Sequence, residues 1–453
     1  MTYQKNQELI VDIIDVNLFG NGIAKSEGVV LFVQRAVPGD RVRVRIIKCA
    51  KNYYVARIEE IITPSPFRKA SDCPHFGRCG GCTLRHLNYD LEKKVKENYI
   101  RSCLKKENLN SVKVLPIFAS PTTEHYRNKA LYPIGLDKEG AVFTGFYSHH
   151  SHNICPISTC KIQPDVFSKI ATFVCTYLQN HNILPYSQVT HTGLVRHLYL
   201  RSSATGKIML CLVLKEDRFP EELHFADEVI KAFPQVCGIH FNTQPNTDNV
   251  ILGDKTRLVR GTAHLRDTLC NRDFLLSPNS FYQVNHDAAQ LLYQTAYNIA
   301  NNIPFDLLVD LYCGVGTISL CAPGNTPILG IEIVPEAVRD AVQNAQLNGR
   351  ENATFLCSDA KNALSLLSEH KAKRPLILLD PPRKGLSESL IHEIANTPEC
   401  RDVLYISCAP DTLCRDLARF QSLGFQIGDL QPVDLFPRTG HVETVVLMSR
   451  EKG

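Results

Sequence analysis

The sequence predicts an α/β protein whose C-terminal part is a doubly wound, Rossmann-like domain. Three patterns carry this prediction: β-runs alternate with helical stretches from about Leu276 onward, short strand-like runs fill residues 8–62, and a cysteine-rich loop follows them. A chain of 453 residues is too long for one ordinary core. We therefore expect an OB-like barrel at 1–62, a mixed α+β central domain at 63–270 that carries the cysteine loop, and the doubly wound domain at 271–453.

The composition is that of a folded, soluble protein, with 44% apolar and 21% charged residues. The net charge of +4 permits a polyanionic partner without arguing for one. The polar N-terminus has no apolar segment of a secretory signal, and no apolar run reaches the length of a membrane span. We expect a cytoplasmic protein without a membrane partner, whose 17 cysteines stay reduced.

The predicted barrel is built from short runs separated by turns at Phe19–Gly22 and Pro38–Asp40. In the stretch 41–45, arginine and valine alternate with the period of a strand, so the arginines share one face. Such a face is either a surface for RNA or a plain solvated face of the barrel. The balance of acids and bases does not decide between the two.

The cysteine loop has the sequence CPHFGRCGGC and contains Cys73, Cys79 and Cys82. Thiols at this spacing in a reducing compartment indicate a metal or iron–sulfur site rather than disulfides. A helix over residues 90–107 is expected next, with Asp90 as its N-cap and an apolar face that could pack on the C-terminal domain.

The doubly wound region opens with a buried run that ends in a glycine turn, from Asp310 to Thr317. Gly314 and Gly316 in this turn let the backbone approach a ligand where a Cβ would clash. Glu332 closes the next β-run, where an acid is placed to bind ribose hydroxyls, and Asp359 follows a later run. The glycine motif from Asp310 to Thr317 is short and begins with an acid, which favours S-adenosylmethionine over a nicotinamide cofactor.

Three further residues follow or begin β-runs that should meet at the same crevice. Asp380 begins an Asp-Pro-Pro-Arg turn, and Arg383, where amino-directed methyltransferases typically have an aromatic residue, argues against an exocyclic amine target. Cys408 ends a run at a strand tip, and Glu443 is an acid within an otherwise apolar run. Taken alone, a random cysteine in this chain is rarely a nucleophile and a lone strand acid is more often solvated.

A thiolate and an acid together fit one particular reaction. Carbon 5 of uracil is too poor a nucleophile to attack a methyl sulfonium, but addition of a cysteine to carbon 6 makes an enolate that can attack. A base must then remove the proton from carbon 5 so that the thiol can leave. We assign Cys408 as the nucleophile and Glu443 as the general base.

These residues give the chain a resemblance to the bacterial RNA uracil-5-methyltransferases that carry a TRAM barrel, specifically the 23S rRNA enzymes of the RumA or RlmD/RlmCD type. The resemblance runs nearly end to end, and its motifs are jointly specific. Beside the barrel and the cysteine loop, they are HYRNKA at 125–130, SFYQVN at 280–285, DLYCGVGT at 310–317, DPPRKG at 380–385, ISCAPDTL at 406–413 and DLFPRTGHVETV at 434–445.

The resemblance implies residue roles beyond the catalytic pair. The cofactor-binding residues would be Gln283, Tyr312, Thr317, Glu332, Asp359 and Asp380. It also implies a [4Fe–4S] cluster held by Cys73, Cys79, Cys82 and a distant fourth cysteine. Cys160 matches the fourth position, and Cys155 is the rival.

The implied partner is 23S rRNA, because the tRNA-directed branch of the superfamily generally lacks both the barrel and the cysteine loop. No obligatory protein partner is implied. Arg127 and the arginines at 41, 43 and 45 are candidates for backbone contacts with RNA. Two rivals remain: a zinc-stabilised RNA-binding protein without catalysis, and a radical enzyme. The latter needs gaps of three and two residues in its cysteine loop, whereas the gaps here are five and two.

Overall fold

The computed structural model describes residues 3–149, 151–301, 303–362, 364, 367 and 372–450. Its first unit is a six-stranded sheet of order β1-β5-β6-β4-β3-β2. The segment that contains β1 and β2 pairs with β5 at one end and with β3 at the other, which closes the sheet into a barrel. The strands are β1 (Glu8–Asp12), β2 (Asp15–Val16), β3 (Asn21–Ser26), β4 (Val29–Gln34), β5 (Arg41–Cys49) and β6 (Tyr53–Thr63).

The alternation in β5 gives the predicted two faces. Val42 and Val44 are fully buried in the barrel core, whereas the arginines between them point outward. Each of these arginines is ion-paired with a carboxylate: Arg41 with Asp12, Arg43 with Glu60, and Arg45 with Glu8, at N···O distances of 3.5, 2.9 and 2.7 Å. This charge-balanced face favours the solvated alternative over a surface for RNA.

Helix α1 (Tyr89–Lys106) follows the cysteine loop and begins one residue earlier than the sequence predicted. The expected N-cap, Asp90, is wrong: Asn88 is the N-cap, and its side-chain oxygen accepts a hydrogen bond from the backbone N–H of Leu91 at 2.9 Å. An N-cap must have extended backbone, which Asn88 has, whereas Asp90 lies inside the first turn. There its charge still complements the positive end of the helix dipole.

The central region folds around a seven-stranded sheet of order β13-β12-β11-β10-β7-β8-β9, which buries its apolar side chains against two helices. The central strands β10 and β11 are buried along their whole length. The elements are β7 (Lys129–Leu136), β8 (Val142–Tyr147), β9 (Ile154–Pro156), α2 (Asp165–Asn180), β10 (Val195–Ser202), β11 (Ile208–Leu214), α3 (Glu222–Ala232), β12 (Val236–Thr243) and β13 (Lys255–Gly261).

A hairpin of β14 (Leu265–Leu269) and β15 (Arg272–Leu276) leads into the C-terminal sheet, whose order is β18-β17-β16-β19-β20-β23-β21, with β22 also paired to β23. Strands β16 to β20 are parallel, and β23 is antiparallel. This is the predicted doubly wound sheet. Its strands are β16 (Leu307–Asp310), β17 (Ile328–Glu332), β18 (Ala353–Cys357), β19 (Pro375–Leu379), β20 (Asp402–Ser407), β21 (Gln426–Ile427), β22 (Gln431–Val433) and β23 (Glu443–Ser449).

Helices cover both faces of this sheet, so its strands are apolar on both sides. They are α4 (His286–Ala300), α5 (Thr317–Leu320), α6 (Pro335–Leu347), α7 (Glu388–Asn396) and α8 (Pro410–Ser422), with a 3₁₀ turn at Ala360–Asn362. Helix α1 joins one of these faces: Ile100, Cys103 and Leu104 belong to the same apolar cluster as strands of the C-terminal sheet. No helix among the described residues has the length and apolar character needed to cross a bilayer.

A buried ionic network fastens α1 to the segment that precedes β23. The Lys96 ammonium lies 3.0 Å from a Glu92 oxygen and 2.7 Å from an Asp434 oxygen, and all three side chains are inaccessible to solvent. Glu92 also accepts a hydrogen bond from the backbone N–H of Arg438 at 2.6 Å, and the Arg438 guanidinium lies 3.4 Å from its other oxygen. Two cations therefore balance two carboxylates.

We expect Lys96→Met to destabilise the protein by about 3–5 kcal/mol, because it leaves two buried carboxylates with too little positive charge. The measurement is the midpoint and slope of urea unfolding. Lys93→Met is the matched control in the same helix: Lys93 pairs with the exposed Asp90 at 3.0 Å, and its loss should cost no more than about 1 kcal/mol. Equal midpoints for the two variants would contradict the assignment.

Candidate active site

The site lies at the carboxyl edge of the parallel strands, where open α/β sheets bind ligands. Asp310 and Glu332 are the last residues of β16 and β17. Asp380 and Cys408 directly follow β19 and β20, which pair with their neighbours in the same parallel register. The sequence prediction that these side chains share one edge is therefore met by the strand order.

The glycine turn after β16 has the backbone that its glycines were expected to provide. Gly314 and Gly316 have φ angles of 53° and 80°, in the left-handed region that other residues rarely adopt. The Glu332 carboxylate accepts hydrogen bonds from the backbone N–H groups of Gly314 at 3.2 Å and Val334 at 3.0 Å. These contacts fix the acid of the second strand beside the turn of the first.

Tyr312 and Asp359 approach each other across this edge. Tyr312 is half-buried in the glycine turn, and its backbone N–H donates to an Asp310 oxygen at 3.2 Å. Burial and the nearby charge of Asp359 raise the pKa of the Tyr312 phenol to about 12. Asp359 itself is exposed, and one of its oxygens accepts the backbone N–H of Lys361 at 3.0 Å.

The other two predicted cofactor residues are buried. Thr317 is the first residue of α5, directly after the glycine turn. Gln283 lies on the segment before α4, and its carbonyl accepts a hydrogen bond from the side-chain amide of Asn128 at 3.1 Å. That contact places Gln283 at the junction of the central and C-terminal regions rather than on the glycine turn.

The crevice is acidic, which decides what kind of ligand it suits. Burial raises the pKa of Asp310 and of Asp380 to about 7 each, and the charge of Asp380 adds to the shift at Asp310. The Asp310 Oδ2 atom is buried and has no hydrogen-bond partner among the described residues. Neighbouring buried acids are stabilised by a cation and repel a phosphate. The residues therefore fit a nucleoside with a cationic sulfonium better than a dinucleotide.

The catalytic candidates lie on adjacent antiparallel strands. Ser407 pairs with Thr444, so the next position in the register brings Cys408 opposite Glu443. Glu443 is only 3% exposed, and burial together with Asp380 raises its pKa to about 8. Burial and the charge of Glu443 raise the pKa of the Cys408 thiol to about 11. The nearby Arg383 guanidinium works in the opposite direction on both groups.

A cavity of about 420 Å³ lies at the cysteine loop and is also lined by Arg383, which acts on both catalytic candidates. Arg383 and His441 line it on the catalytic side, with the Arg383 guanidinium 3.3 Å from Nε2 of His441. Burial and the charge of Arg383 lower the pKa of His441 to about 4, so the imidazole is neutral. Sequence reasoning missed His441, although its position two residues before Glu443 places it on the same short segment.

The cysteines of the loop meet a distant cysteine in this cavity. Cys73, Cys79, Cys82 and Cys160 all line it. Burial raises the pKa of Cys79 to about 11 and that of Cys82 to about 12, and the charge of Cys160 contributes to both shifts. Cys155 is buried in β9, where its thiol lies 3.9 Å from the carbonyl of Pro156. The arrangement favours Cys160 as the companion of the loop cysteines.

A parallel sheet with an acid at the tip of its second strand, a glycine turn after its first and an acidic crevice defines the class of S-adenosylmethionine-dependent methyltransferases. The sequence profile of the tRNA (Uracil-5-)-methyltransferase family matches residues 88–451, and that of the TRAM domain matches residues 4–58. The chain belongs to this uracil-5-methyltransferase family. It is an S-adenosylmethionine-dependent RNA methyltransferase with an N-terminal TRAM barrel.

Relatives of similar length support this placement. An "Uncharacterized RNA methyltransferase" of Halalkalibacterium halodurans is 37% identical over 447 residues, which cover 98% of this chain and 97% of the relative. One of Bacillus cereus is 36% identical over 450 residues, covering 99% and 97%. One of Streptococcus mutans is 35% identical over 448 residues, covering 98% and 99%.

Among solved structures, the chain is similar to a Pyrococcus abyssi tRNA (uracil-54, C5)-methyltransferase determined in complex with S-adenosyl-L-homocysteine. The TM-score is 0.77 at 23% identity, and the match covers 97% of this chain and 100% of the other. It shows a common fold. Since the match includes the barrel, a barrel also occurs in a tRNA-acting relative and does not by itself separate rRNA from tRNA enzymes.

We expect Gly314→Ala to weaken S-adenosylhomocysteine binding at least about tenfold, measured by calorimetry. An alanine Cβ at Gly314 would meet no protein atom within 4 Å, so it would project into the open crevice. Gly324→Ala is the matched control, because Gly324 also has a positive φ, 67°, and equally open surroundings. Both substitutions should cost about 1–2 kcal/mol of backbone strain. Equal loss of affinity in both variants would refute a role for the turn in binding.

Proposed function

We propose that the protein methylates carbon 5 of a uridine in 23S rRNA, with Cys408 as a covalent nucleophile and Glu443 as the general base. The observation that carries the proposal is the proximity of these two side chains: they follow the last β20–β23 pair, Ser407 with Thr444, and the charge of Glu443 acts on the Cys408 thiol. Reading an unstacked base requires that the uridine be extruded from the RNA into this crevice.

In the proposed reaction, the Cys408 sulfur adds to carbon 6 and turns carbon 5 into a nucleophile. Bound S-adenosylmethionine supplies the electrophilic methyl group. Glu443 then takes the proton from carbon 5, the bond between sulfur and carbon 6 breaks, and the double bond of the ring re-forms. Cys408 leaves as a thiolate and is ready for another turnover.

Both catalytic groups must ionise before they can act. With a pKa raised to about 8, Glu443 is mostly protonated at neutral pH in the free protein, and once ionised it is a stronger base than an ordinary glutamate. In the free protein, Cys408 is a thiol at neutral pH, because its pKa is raised to about 11. Arg383 and a cation bound in the acidic crevice both favour the thiolate. Substrate and cofactor binding would therefore activate the sulfur.

The proposed cofactor contacts rest on the same edge of the sheet. Glu332 is held beside the glycine turn, where it can accept hydrogen bonds from ribose hydroxyls. The half-buried Tyr312 ring offers a surface for an adenine, and Asp359 lies near it. Asp380 faces both Cys408 and Glu443, so we assign it to the reactive end of the cofactor. Gln283 and Thr317 complete the proposed set.

The choice of 23S rRNA rests on the barrel together with the four cysteines. Transfer RNA is the second candidate, supported by the full-length likeness to the Pyrococcus abyssi tRNA enzyme. Arg127, which lines the cavity beside Arg383, is the arginine that we propose for RNA contact. The arginines of β5 are already neutralised by acids and offer less to a phosphate. We also retain a cytoplasmic location and the three-domain division at 1–62, 63–270 and 271–453 as parts of the proposal.

We further propose that Cys73, Cys79, Cys82 and Cys160 hold a [4Fe–4S] cluster. Thiols that raise one another's pKa need a bound cation to ionise together. The four cysteines line one cavity, so a single group can contact all of them. The choice of an iron–sulfur cluster over a zinc ion rests on the resemblance of the cysteine loop to that of the TRAM-bearing rRNA enzymes.

We expect Glu443→Gln to accumulate a covalent protein–RNA adduct with unmodified 23S rRNA in the presence of S-adenosylmethionine, because the last proton cannot be removed. The measurement is a denaturing gel, run in parallel with unmodified tRNA. Cys408→Ala should lose methyl transfer and form no adduct while still binding S-adenosylhomocysteine.

Cys357→Ser is the matched control, since Cys357 also ends a parallel strand of this sheet and should be dispensable. Turnover that persists in Cys408→Ala would exclude covalent catalysis. Adduct formation with tRNA but not with 23S rRNA would leave the chemistry intact and overturn the proposed target.

The cluster has its own test, which does not depend on activity. We expect the anaerobically purified chain to contain iron and sulfide and to absorb broadly in the visible range. Cys160→Ala should lose this absorbance, whereas Cys155→Ala should retain it. A colourless wild-type protein with stoichiometric zinc would contradict the cluster, and loss of absorbance only in Cys155→Ala would reassign the fourth ligand.

A further inference from the structure

A group of metal-ligating side chains lies on the central domain, apart from the active site and from the cysteine loop. His181 caps the C-terminus of α2, Glu221 precedes α3, and His224 lies in the first turn of α3. One ligand atom from each of these side chains lies within 4.8 Å of the other two, and all three residues are exposed. Nothing in the proposed reaction uses them.

Tyr177 orients both imidazoles. Nδ1 of His181 lies 2.9 Å from the Tyr177 carbonyl, and Nδ1 of His224 lies 3.1 Å from the Tyr177 hydroxyl. The His181 ring also stacks on the Tyr177 ring with centroids 3.9 Å apart. When Nδ1–H donates to such an oxygen, Nε2 carries the lone pair. This is how proteins usually fix the tautomer of a metal-ligating histidine.

The backbone of Glu221, the third candidate ligand, has an unusual conformation. Glu221 has φ 48° and ψ 44°, a left-handed conformation that costs a non-glycine residue about 1–2 kcal/mol. Two imidazoles and a carboxylate whose ligand atoms lie within 4.8 Å of one another form a donor set that attracts a divalent cation.

We propose that His181, Glu221 and His224 bind a divalent transition-metal ion of the zinc class. Two histidines and one carboxylate are a ligand set that zinc accepts, with its fourth position open to water. The ion would join the end of α2 to the start of α3. Both helices pack on the central sheet, so binding would stabilise that domain.

The test is equilibrium dialysis against Zn²⁺, in which the full-length wild type is compared with a full-length variant that lacks both histidines. Because thiols are zinc ligands too, the decisive quantity is the difference in bound zinc between chains that retain all their cysteines. We expect the wild type to bind one equivalent more than His181→Gln/His224→Gln. Added Zn²⁺ should raise the thermal midpoint of the wild type more than that of the double variant.

Two further variants sharpen the result. Tyr177→Phe removes the hydroxyl that orients His224 and should weaken zinc binding about tenfold without removing a ligand. His392→Gln is the matched control. His392 and Glu388 form a single exposed histidine–glutamate pair at 4.0 Å, so the loss of His392 should leave zinc binding unchanged. Equal zinc content in the wild type and the double variant, or an equal loss in His392→Gln, would overturn the proposal.

Discussion

The active site depends on the buried ionic network that joins α1 to the chain before β23. Lys96 and Arg438 neutralise Glu92 and Asp434, whose side chains are inaccessible to solvent, and Tyr89 donates a further hydrogen bond to Asp434 at 2.8 Å. Asp434 and Arg438 bracket the turn that leads to His441 and Glu443. The network therefore fixes the segment that carries Glu443, the proposed general base.

The segment before β23 also joins the central region to the methyltransferase domain through direct contacts. Val114 and Phe118 bridge to Leu430 and Val433, so the linker after α1 runs alongside β22. The hydroxyl of Tyr126 donates to the carbonyl of Pro437 at 2.8 Å from the other side. Residues that the sequence places in the central region thus hold the segment before β23 in place. These contacts help to set the position of Glu443 opposite Cys408.

The doubly wound sheet could be predicted because buried parallel strands leave continuous apolar runs, and the site acids end those runs. Asp310, Glu332, Asp380 and Cys408 were found by their position at strand ends. The N-cap of α1 could not be placed, because Asn88 and Asp90 are both good caps and only the backbone distinguishes them. The pairing of the β5 arginines and the Lys96 network also escaped prediction, since their partners are distant in sequence.

The cavity at the cysteine loop shares Arg383 with the proposed catalytic pair. Arg383 lines this cavity, and its charge opposes the rise in the pKa of Cys408 and of Glu443. His441 contacts Arg383 and is neutral, so it leaves the guanidinium charge uncompensated in the cavity wall.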